Sequence, residues 1–191
     1  MKTASFEKVN TPKTHPILKT LGIKTSLIAS RNLPLFEDAT DLTVADVSQS
    51  GRRHMLVPSA ASAWRQMKKS AGLEGFHLII VSAFRSTERQ AELVRQQLDQ
   101  GCSPEAIFRS SAPPGHSEHH TGRAIDIGTP GCKPLSQEFA NTGAYSWLAQ
   151  NAGSFGFKLS YPENNQYGFC YEPWHWFYHG SASLISAADS S

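Results

Sequence analysis

The stretch Gly115–Gly128, GHSEHHTGRAIDIG, is the part of the sequence from which both fold and chemistry are best approached. Its first half puts three histidines within five residues: His116, His119 and His120. Surface loops collect histidines, so this half alone is as typical of a polar loop as of a metal site. The prolines just before it cannot continue a helix, which predicts a loop over 111–122.

The second half, RAIDIG, predicts a strand over 123–128 that enters the core. Strand side chains alternate between two faces, so Ile125 and Ile127 share one face and Asp126 takes the other. A carboxylate beside core isoleucines costs free energy unless it has a partner. Asp126 is therefore predicted either to form a salt bridge or hydrogen bond, or to be a metal ligand.

A second candidate stretch is Glu172–His179, EPWHWFYH, which predicts the last strand. His175 shares one face of that strand with Phe177 and His179. A single histidine in an aromatic strand is more often packed in a core than bound to a metal. A catalytic zinc site, however, needs three imidazole or carboxylate ligands, an open position and a nearby general base. Glu172 is a candidate for a carboxylate that lies beside such a metal without binding it.

Composition excludes several classes of protein. The 191 residues suit one domain, and 39% hydrophobic with 10% aromatic residues is enough to fill a core. With 18 basic and 16 acidic residues the formal net charge is +2, which does not indicate binding to nucleic acid or to an anionic membrane. No apolar stretch approaches the roughly 20 residues of a membrane span, and the first residues lack the apolar core of an export signal. These features do not decide the cellular compartment.

Hydrophobic periodicity predicts the order of helices and strands. Helices are expected over 58–72, 87–101, 103–109 and 142–155, and strands in a hairpin over 42–57 and at 76–82, 123–128, 156–162 and 172–179. The second helix is expected to begin with a capping box of Thr87 and Gln90. Because the strands cluster instead of alternating with helices, the predicted fold class is α+β, with a small antiparallel sheet and flanking helices.

The chain shows no internal repeat and no linker that divides it. We expect an N-terminal arm over 1–41 that lies on the domain, a catalytic domain over 42–180 and a flexible tail over 181–191. We expect a monomer.

Three cysteines, Cys102, Cys132 and Cys170, cannot all pair within one chain, and their spacing fits no metal motif. Free thiols are the simplest expectation. In an oxidising compartment a disulfide between Cys132 and Cys170 remains an alternative.

Three motifs together resemble the VanY-type zinc D-alanyl-D-alanine carboxypeptidases, members of the LAS peptidases with the hedgehog/DD-peptidase fold. SEHHTGRAID matches the pattern Ser-x-His-x-x-Gly-x-Ala-x-Asp of that family, and EPWHW matches the Glu-x-x-His that follows it. SAFRS, at 82–86, matches the arginine segment that precedes both. The motifs occur in the order of the family, and the resemblance covers about residues 55–180.

The resemblance implies a role for each matching residue. His119, Asp126 and His175 are the implied ligands of one Zn²⁺. Glu172 is the implied general base, which takes a proton from the water at the zinc and gives it to the leaving D-alanine amine. Arg85 is the implied cation that steadies the substrate carbonyl or its oxyanion.

Further residues are expected in the substrate cleft. Arg85, Gln90 and Ser117 correspond to positions where related enzymes hold the substrate, Gln90 and Ser117 being implied partners of its terminal carboxylate. Tyr161 and Trp174 are expected either to line the pocket or to belong to the core.

The histidines near His119 have different expected roles. His120 stands where relatives often have glutamine, but only His119 has the family's spacing of seven residues to Asp126. His120 is expected to orient a ligand or to touch the substrate. His116 and His179 are expected to be polar surface residues or residues that orient a ligand.

The implied function is removal of the terminal D-alanine from peptidoglycan stem peptides. Two alternatives remain: an L,D-carboxypeptidase acting on tetrapeptide stems, and a zinc-containing module that binds wall peptide without cleaving it. The implied partner is a peptidoglycan stem peptide or precursor. The resemblance favours the cell envelope, the periplasm or secretion, although the cytoplasm is not excluded.

Overall fold

The computed structural model describes residues 15–180, which form short helices and strands around two buried clusters. The helices are α1 Ile17–Thr20, α2 Ser26–Ala29, α3 Pro58–Leu73, α4 Thr87–Asp99, α5 Pro104–Ile107 and α6 Gly143–Asn151. The strands are β1 Thr43–Val47, β2 Arg53–Leu56, β3 Ile79–Ser82, β4 Ala124–Gly128, β5 Phe157–Leu159 and β6 His175–Tyr178. Short 3-10 turns cover Glu118–Thr121, Gln137–Asn141 and Ala152–Phe155.

The strands form two antiparallel sheets. β1 pairs with β2 as a hairpin, and the other four strands form one sheet in the order β3-β4-β6-β5. The predicted α+β class with a small antiparallel sheet is therefore confirmed. β4 is central in the larger sheet, and its register puts Asp126 opposite Ser82 on one side and His175 on the other.

The main core joins α3 to the larger sheet. Pro58 occupies the first turn of α3, where its missing N–H costs nothing. Trp64 and Met67 are completely buried in one cluster with Ile125 and Ile127. Burying each such side chain stabilises the fold by about 1.5–3 kcal/mol. The predicted orientation of β4, with its isoleucines in the core, is confirmed.

The described part of the N-terminal segment forms a second, smaller core. Leu18, Ile23 and Ile28 pack against Val94 of α4 and against the buried residues Ile107 and Phe108 at α5. The predicted boundaries at 41 and 180 stay a prediction, and the predicted tail at 181–191 lies outside the described residues.

The start of α4 differs from the predicted capping box. Ser86, one residue before the predicted position, is the N-cap, and its Oγ accepts the Arg89 N–H. The backbone and hydroxyl of Thr87 instead donate to the carboxylate of Asp38, at 2.8–3.0 Å. The local cap is therefore Ser86, and Thr87 is held by a partner from the N-terminal segment that no sequence spacing could show.

Most predicted elements are somewhat shorter in the structure, and for the last strand and the last helix the cause is visible. The last strand begins at His175, because a turn around Pro173 precedes it and the His175 N–H donates to the Glu172 carbonyl at 3.1 Å. The helix predicted over 142–155 is divided into α6 and the 3-10 turn Ala152–Phe155, which Gly156 ends in the left-handed region at φ 79°.

All three cysteines are free, so the alternative of a Cys132–Cys170 disulfide is not borne out. None of the helices within residues 15–180 has the length and apolar character needed to cross a membrane.

Candidate metal centre and active site

Three side chains from three separate elements meet at the centre of the larger sheet. Asp126 is the middle residue of β4, and His175, the first residue of β6, is its cross-strand partner. His119 comes from the 3-10 turn Glu118–Thr121, which lies directly before β4. Gly122 ends that turn at φ 64°, a left-handed conformation that favours glycine, and an added Cβ would lie 2.8 Å from a Leu42 methyl group.

The three predicted metal ligands form a compact, buried group. His119 Nε2 lies 3.2 Å from Asp126 Oδ2, and His175 Nδ1 lies 3.0 Å from Asp126 Oδ1. One donor atom from each residue can be chosen so that all lie within 4.8 Å of one another. Ligands at ~2.0–2.1 Å from a tetrahedral Zn²⁺ are about 3.3 Å apart, so the spacing fits a zinc ion.

The charges of this group favour a cation. Burial by itself raises the pKa of Asp126, but the facing His119 and His175 outweigh it and hold that pKa well below its usual range. Burial lowers the pKa of His175, yet hydrogen bonds to Asp126 and Glu118 raise it to about 10. The two carboxylates therefore favour a positive charge at this position, which a proton on His175 or a bound cation can supply.

Glu172 lies beside this group without joining it. Its Oε2 is 3.9 Å from His175 Nδ1, and its side chain is almost buried. Burial is the largest influence on the carboxyl group and raises the pKa of Glu172 to about 7. A carboxyl group with a pKa near neutrality can both accept and return a proton, as a general base must.

Arg85 and Gln90 form one connected unit. Arg85 follows β3, and its Nη1 donates to Gln90 Oε1 at 2.9 Å. The Gln90 amide donates in turn to Ser111 Oγ and to the Ala112 carbonyl, at 2.9 and 2.7 Å. Gln90 therefore uses both ends of its side chain within the protein and holds the guanidinium of Arg85. Burial lowers the pKa of Arg85, against the attraction of Asp126 and Glu172.

These groups line a cleft of about 390 Å³. The residues predicted for the site all reach it: Arg85, Gln90, Ser117, His119, Asp126, Glu172 and His175. Both Tyr161 and Trp174 line the cleft too, and the ring of Tyr161 lies 4.7 Å from that of His175. Ser117 also caps the turn before β4, where its Oγ accepts the His119 N–H.

The remaining histidines stand apart from the predicted ligands. His120 is completely buried, and its Nε2 accepts the Gly115 N–H while its Nδ1 donates to the Arg85 carbonyl at 2.7 Å. It thus braces the backbone of Arg85. His116 is also buried, so the expectation of a surface position was wrong for it; its Nδ1 contacts the Pro34 carbonyl. His179 is exposed, as predicted.

Sequence reasoning missed Glu118. Its Oε2 lies 2.9 Å from His175 Nε2, on the side of the ring away from Asp126. The same oxygen accepts the Ser160 hydroxyl at 2.6 Å. Burial raises the pKa of Glu118, but its contacts with His175 and Ser160 outweigh this and lower it. Its position next to His119 was the only signal in the sequence, because His175 and Ser160 come from distant strands.

Comparison with known proteins identifies the family. A model of the VanY family, described as D-alanyl-D-alanine carboxypeptidase, matches residues 53–181. This chain belongs to the VanY family. YodJ of Bacillus subtilis (strain 168), a carboxypeptidase by name, is 31% identical over 217 residues, covering 99% of this chain and 78% of YodJ. Membership makes the chain a peptidase of the D-alanyl-D-alanine carboxypeptidase type.

Solved structures of similar proteins share the fold. The LD-carboxypeptidase LdcB superposes with a TM-score of 0.69 at 32% identity, over 80% of this chain and 74% of LdcB. A VanY D,D-pentapeptidase from a VanB-type vancomycin resistance cassette, solved in complex with Zn(II), superposes with a TM-score of 0.59 at 26% identity. That match covers 78% of this chain and 83% of the VanY chain. The hedgehog/DD-peptidase-like architecture expected from the motifs is thereby confirmed.

Proposed function

We propose that this chain is a zinc-dependent D,D-carboxypeptidase that removes the terminal D-alanine from peptidoglycan stem peptides. One observation carries the proposal: His119, Asp126 and His175 converge at the cleft with the unbound carboxylate of Glu172 beside them. A structural zinc site has four protein ligands and no use for a free base, whereas a catalytic site needs both an open position and a base. A wall-peptide substrate favours the cell envelope, the periplasm or secretion as the place of this activity.

The ligand set is two imidazole nitrogens and one carboxylate, held on a turn and two paired strands. His119 presents Nε2 and His175 presents Nδ1 to the carboxylate of Asp126. When bound, Zn²⁺ supplies a Lewis acid that polarises the scissile carbonyl and makes a water molecule acidic near neutral pH. The VanY relative solved with Zn(II) supports this choice of metal.

Glu172 is the general base of the proposed reaction. Its carboxylate takes a proton from the attacking water as the bond to the carbonyl carbon forms. It then gives the proton to the amine of the leaving D-alanine as the peptide bond breaks. The turn at Pro173 sets the carboxylate beside His175 and outside the ligand set.

Arg85 stabilises the negative charge that develops on the carbonyl oxygen, a contribution worth about 3–4 kcal/mol for a single donor in comparable sites. Gln90 holds the guanidinium from one side, and His120 braces the backbone carbonyl of Arg85. Ser117 lines the same cleft and is the proposed partner of the terminal carboxylate, whereas Gln90 acts on the substrate through Arg85.

An L,D-carboxypeptidase acting on tetrapeptide stems is the second candidate. The likeness to the LD-carboxypeptidase LdcB, with a TM-score of 0.69, favours it. The hydrolytic chemistry is the same in both cases. Only the residue on the amino side of the scissile bond differs: D-alanine in the pentapeptide and an L-centre in the tetrapeptide.

The two activities are separated by incubating the purified zinc-loaded protein with defined pentapeptide and tetrapeptide stems and following the products by mass spectrometry. The expected result is loss of one D-alanine from the pentapeptide. Loss of D-alanine only from the tetrapeptide would replace the D,D assignment by the L,D assignment. Zinc binding without cleavage of either peptide would favour a module that binds wall peptide without turnover.

A further inference from the structure

Glu118 contacts the edge of the His175 ring that points away from the proposed metal. An imidazole ring has two nitrogens, and His175 turns Nδ1 toward Asp126 at 3.0 Å and Nε2 toward Glu118 at 2.9 Å. The side chain of Glu118 is only 15% exposed, so water does not compete freely for this contact.

A neutral imidazole carries its single N–H on one nitrogen and a lone pair on the other. An ionised carboxylate can only accept hydrogen bonds. Glu118 therefore favours the form of His175 that carries the proton on Nε2. That form leaves the Nδ1 lone pair directed at the position where a metal would contact Asp126.

Ser160 keeps the carboxylate of Glu118 in place. Its hydroxyl donates to the Glu118 oxygen that faces His175, at 2.6 Å. Ser160 follows β5, and its backbone N–H donates to the His175 carbonyl at 3.3 Å, so a backbone hydrogen bond also joins the serine to the residue that it supports. Ser160, Glu118 and His175 form one chain of hydrogen bonds on the side of His175 opposite Asp126.

The two predicted histidine ligands differ in the hydrogen bonding of the ring nitrogen that faces away from Asp126. His119 Nδ1 is buried and has no hydrogen-bond partner among residues 15–180. Its Nε2 faces Asp126, and its backbone belongs to the turn that Ser117 caps. His175 lies at the first position of β6, directly after a turn, and its ring is fixed by side chains. A carboxylate contact of this kind orients the imidazole and makes it a stronger base toward a metal.

We propose that Glu118 is a positioning residue that fixes the tautomer and ring orientation of His175, and that Ser160 holds Glu118 for this task. The inference rests on the proposed function, because it requires that His175 bind zinc through Nδ1. Glu118 acts through His175 and touches neither the substrate nor the metal.

Zinc affinity, not activity alone, tests this role. The dissociation constant of Zn²⁺ is measured by competition with a chromophoric chelator for the wild type, Glu118→Ala, Glu118→Gln and Ser160→Ala. Loss of such a contact to a ligand costs about 10- to 100-fold in metal affinity. We expect a weakening of that size in Glu118→Ala. Glu118→Gln is expected to regain part of the affinity, because its amide oxygen still accepts from Nε2.

Ser160→Ala removes one hydrogen bond and is expected to weaken zinc binding by about two- to tenfold. Glu74→Ala, at an exposed position after α3, is the matched control and is expected to bind zinc like the wild type. Thermal unfolding of each metal-free variant verifies that it folds. If Glu118→Ala does not fold, the zinc dissociation constants of Glu118→Gln and Ser160→Ala test the inference in its place.

Unchanged zinc affinity in the folded Glu118→Ala and Ser160→Ala variants would overturn the inference and leave the proposed function standing. A wild type that binds no zinc would overturn both. A wild type that binds zinc but cleaves no stem peptide would remove the proposed activity, while the comparison of affinities would still decide the role of Glu118.

Discussion

At the scale of single residues, Glu172 is the side chain on which the proposed chemistry depends most directly. Glu172→Gln keeps the size and hydrogen-bonding capacity of the side chain but removes the base. We expect kcat/KM for stem-peptide cleavage to fall by about 10²- to 10⁴-fold, with zinc content unchanged. Glu163→Gln, at an exposed position nearby in the sequence, is the control and is expected to keep full activity. Full cleavage by Glu172→Gln would remove Glu172 from the mechanism.

The pH dependence of activity follows from the same residue. Glu172 accepts a proton only when ionised, so the rate falls as the pH drops below its pKa. Burial raises that pKa to about 7 in the protein without a metal, and a bound cation can only move it down. We expect kcat/KM to rise with pH along an acidic limb with a midpoint at or below about 7.

The acidic limb is measured with zinc content followed over the same pH range, because loss of metal at low pH would imitate it. A midpoint well above 7 with zinc fully bound would show that a group other than Glu172 limits the rate.

At the scale of elements, Arg31 ties the N-terminal segment to one wall of the cleft. Its guanidinium donates to the carbonyls of Phe108, after α5, and of Tyr167. It also lies 4.3 Å from the centre of the Phe169 ring, which lines the cleft together with Tyr161. The segment before β1 therefore shapes the cleft although it carries none of the family motifs.

Arg31→Ala removes this connection. We expect the free energy of unfolding to decrease by about 1–3 kcal/mol, because two hydrogen bonds from a charged group are lost. We also expect KM for the stem peptide to rise, because Phe169 and Tyr161 lose their support, while zinc affinity stays unchanged. Denaturant unfolding and steady-state kinetics check both effects.

Arg95→Ala on the exposed face of α4 is the matched control for the loss of one arginine. An unchanged KM in Arg31→Ala, together with reduced stability, would mean that the wall of the cleft keeps its shape without the N-terminal segment.

Features set by neighbouring residues in the sequence could be predicted, whereas features set by contacts between distant residues could not. The alternation in RAIDIG was enough to predict that Asp126 faces away from Ile125 and Ile127. The cap of α4 was misplaced because Thr87 is bound by Asp38, 49 residues earlier in the chain. The last strand was predicted too long because the turn at Pro173 does not interrupt the aromatic pattern.

At the scale of the whole molecule, the site depends on strand order more than on sequence spacing. β4 ends at Gly128 and β6 begins at His175, so 46 residues lie between the two strands. They are nevertheless neighbours in the sheet and pair Asp126 with His175. Family motifs predicted that these residues share a site. The contact of Glu118 with His175 and Ser160 could not be predicted, because it exists only once β5, β6 and the turn before β4 are assembled.

The most direct test of the account is a zinc titration of the metal-free protein in which D-alanine release from a defined stem peptide is measured at each step. We expect negligible release without zinc, a linear increase with added metal and saturation at one zinc per chain. Asp126→Ala is expected to stay inactive over the same range, because the remaining imidazoles cannot complete the ligand set. Full D-alanine release by the metal-free protein would contradict the account.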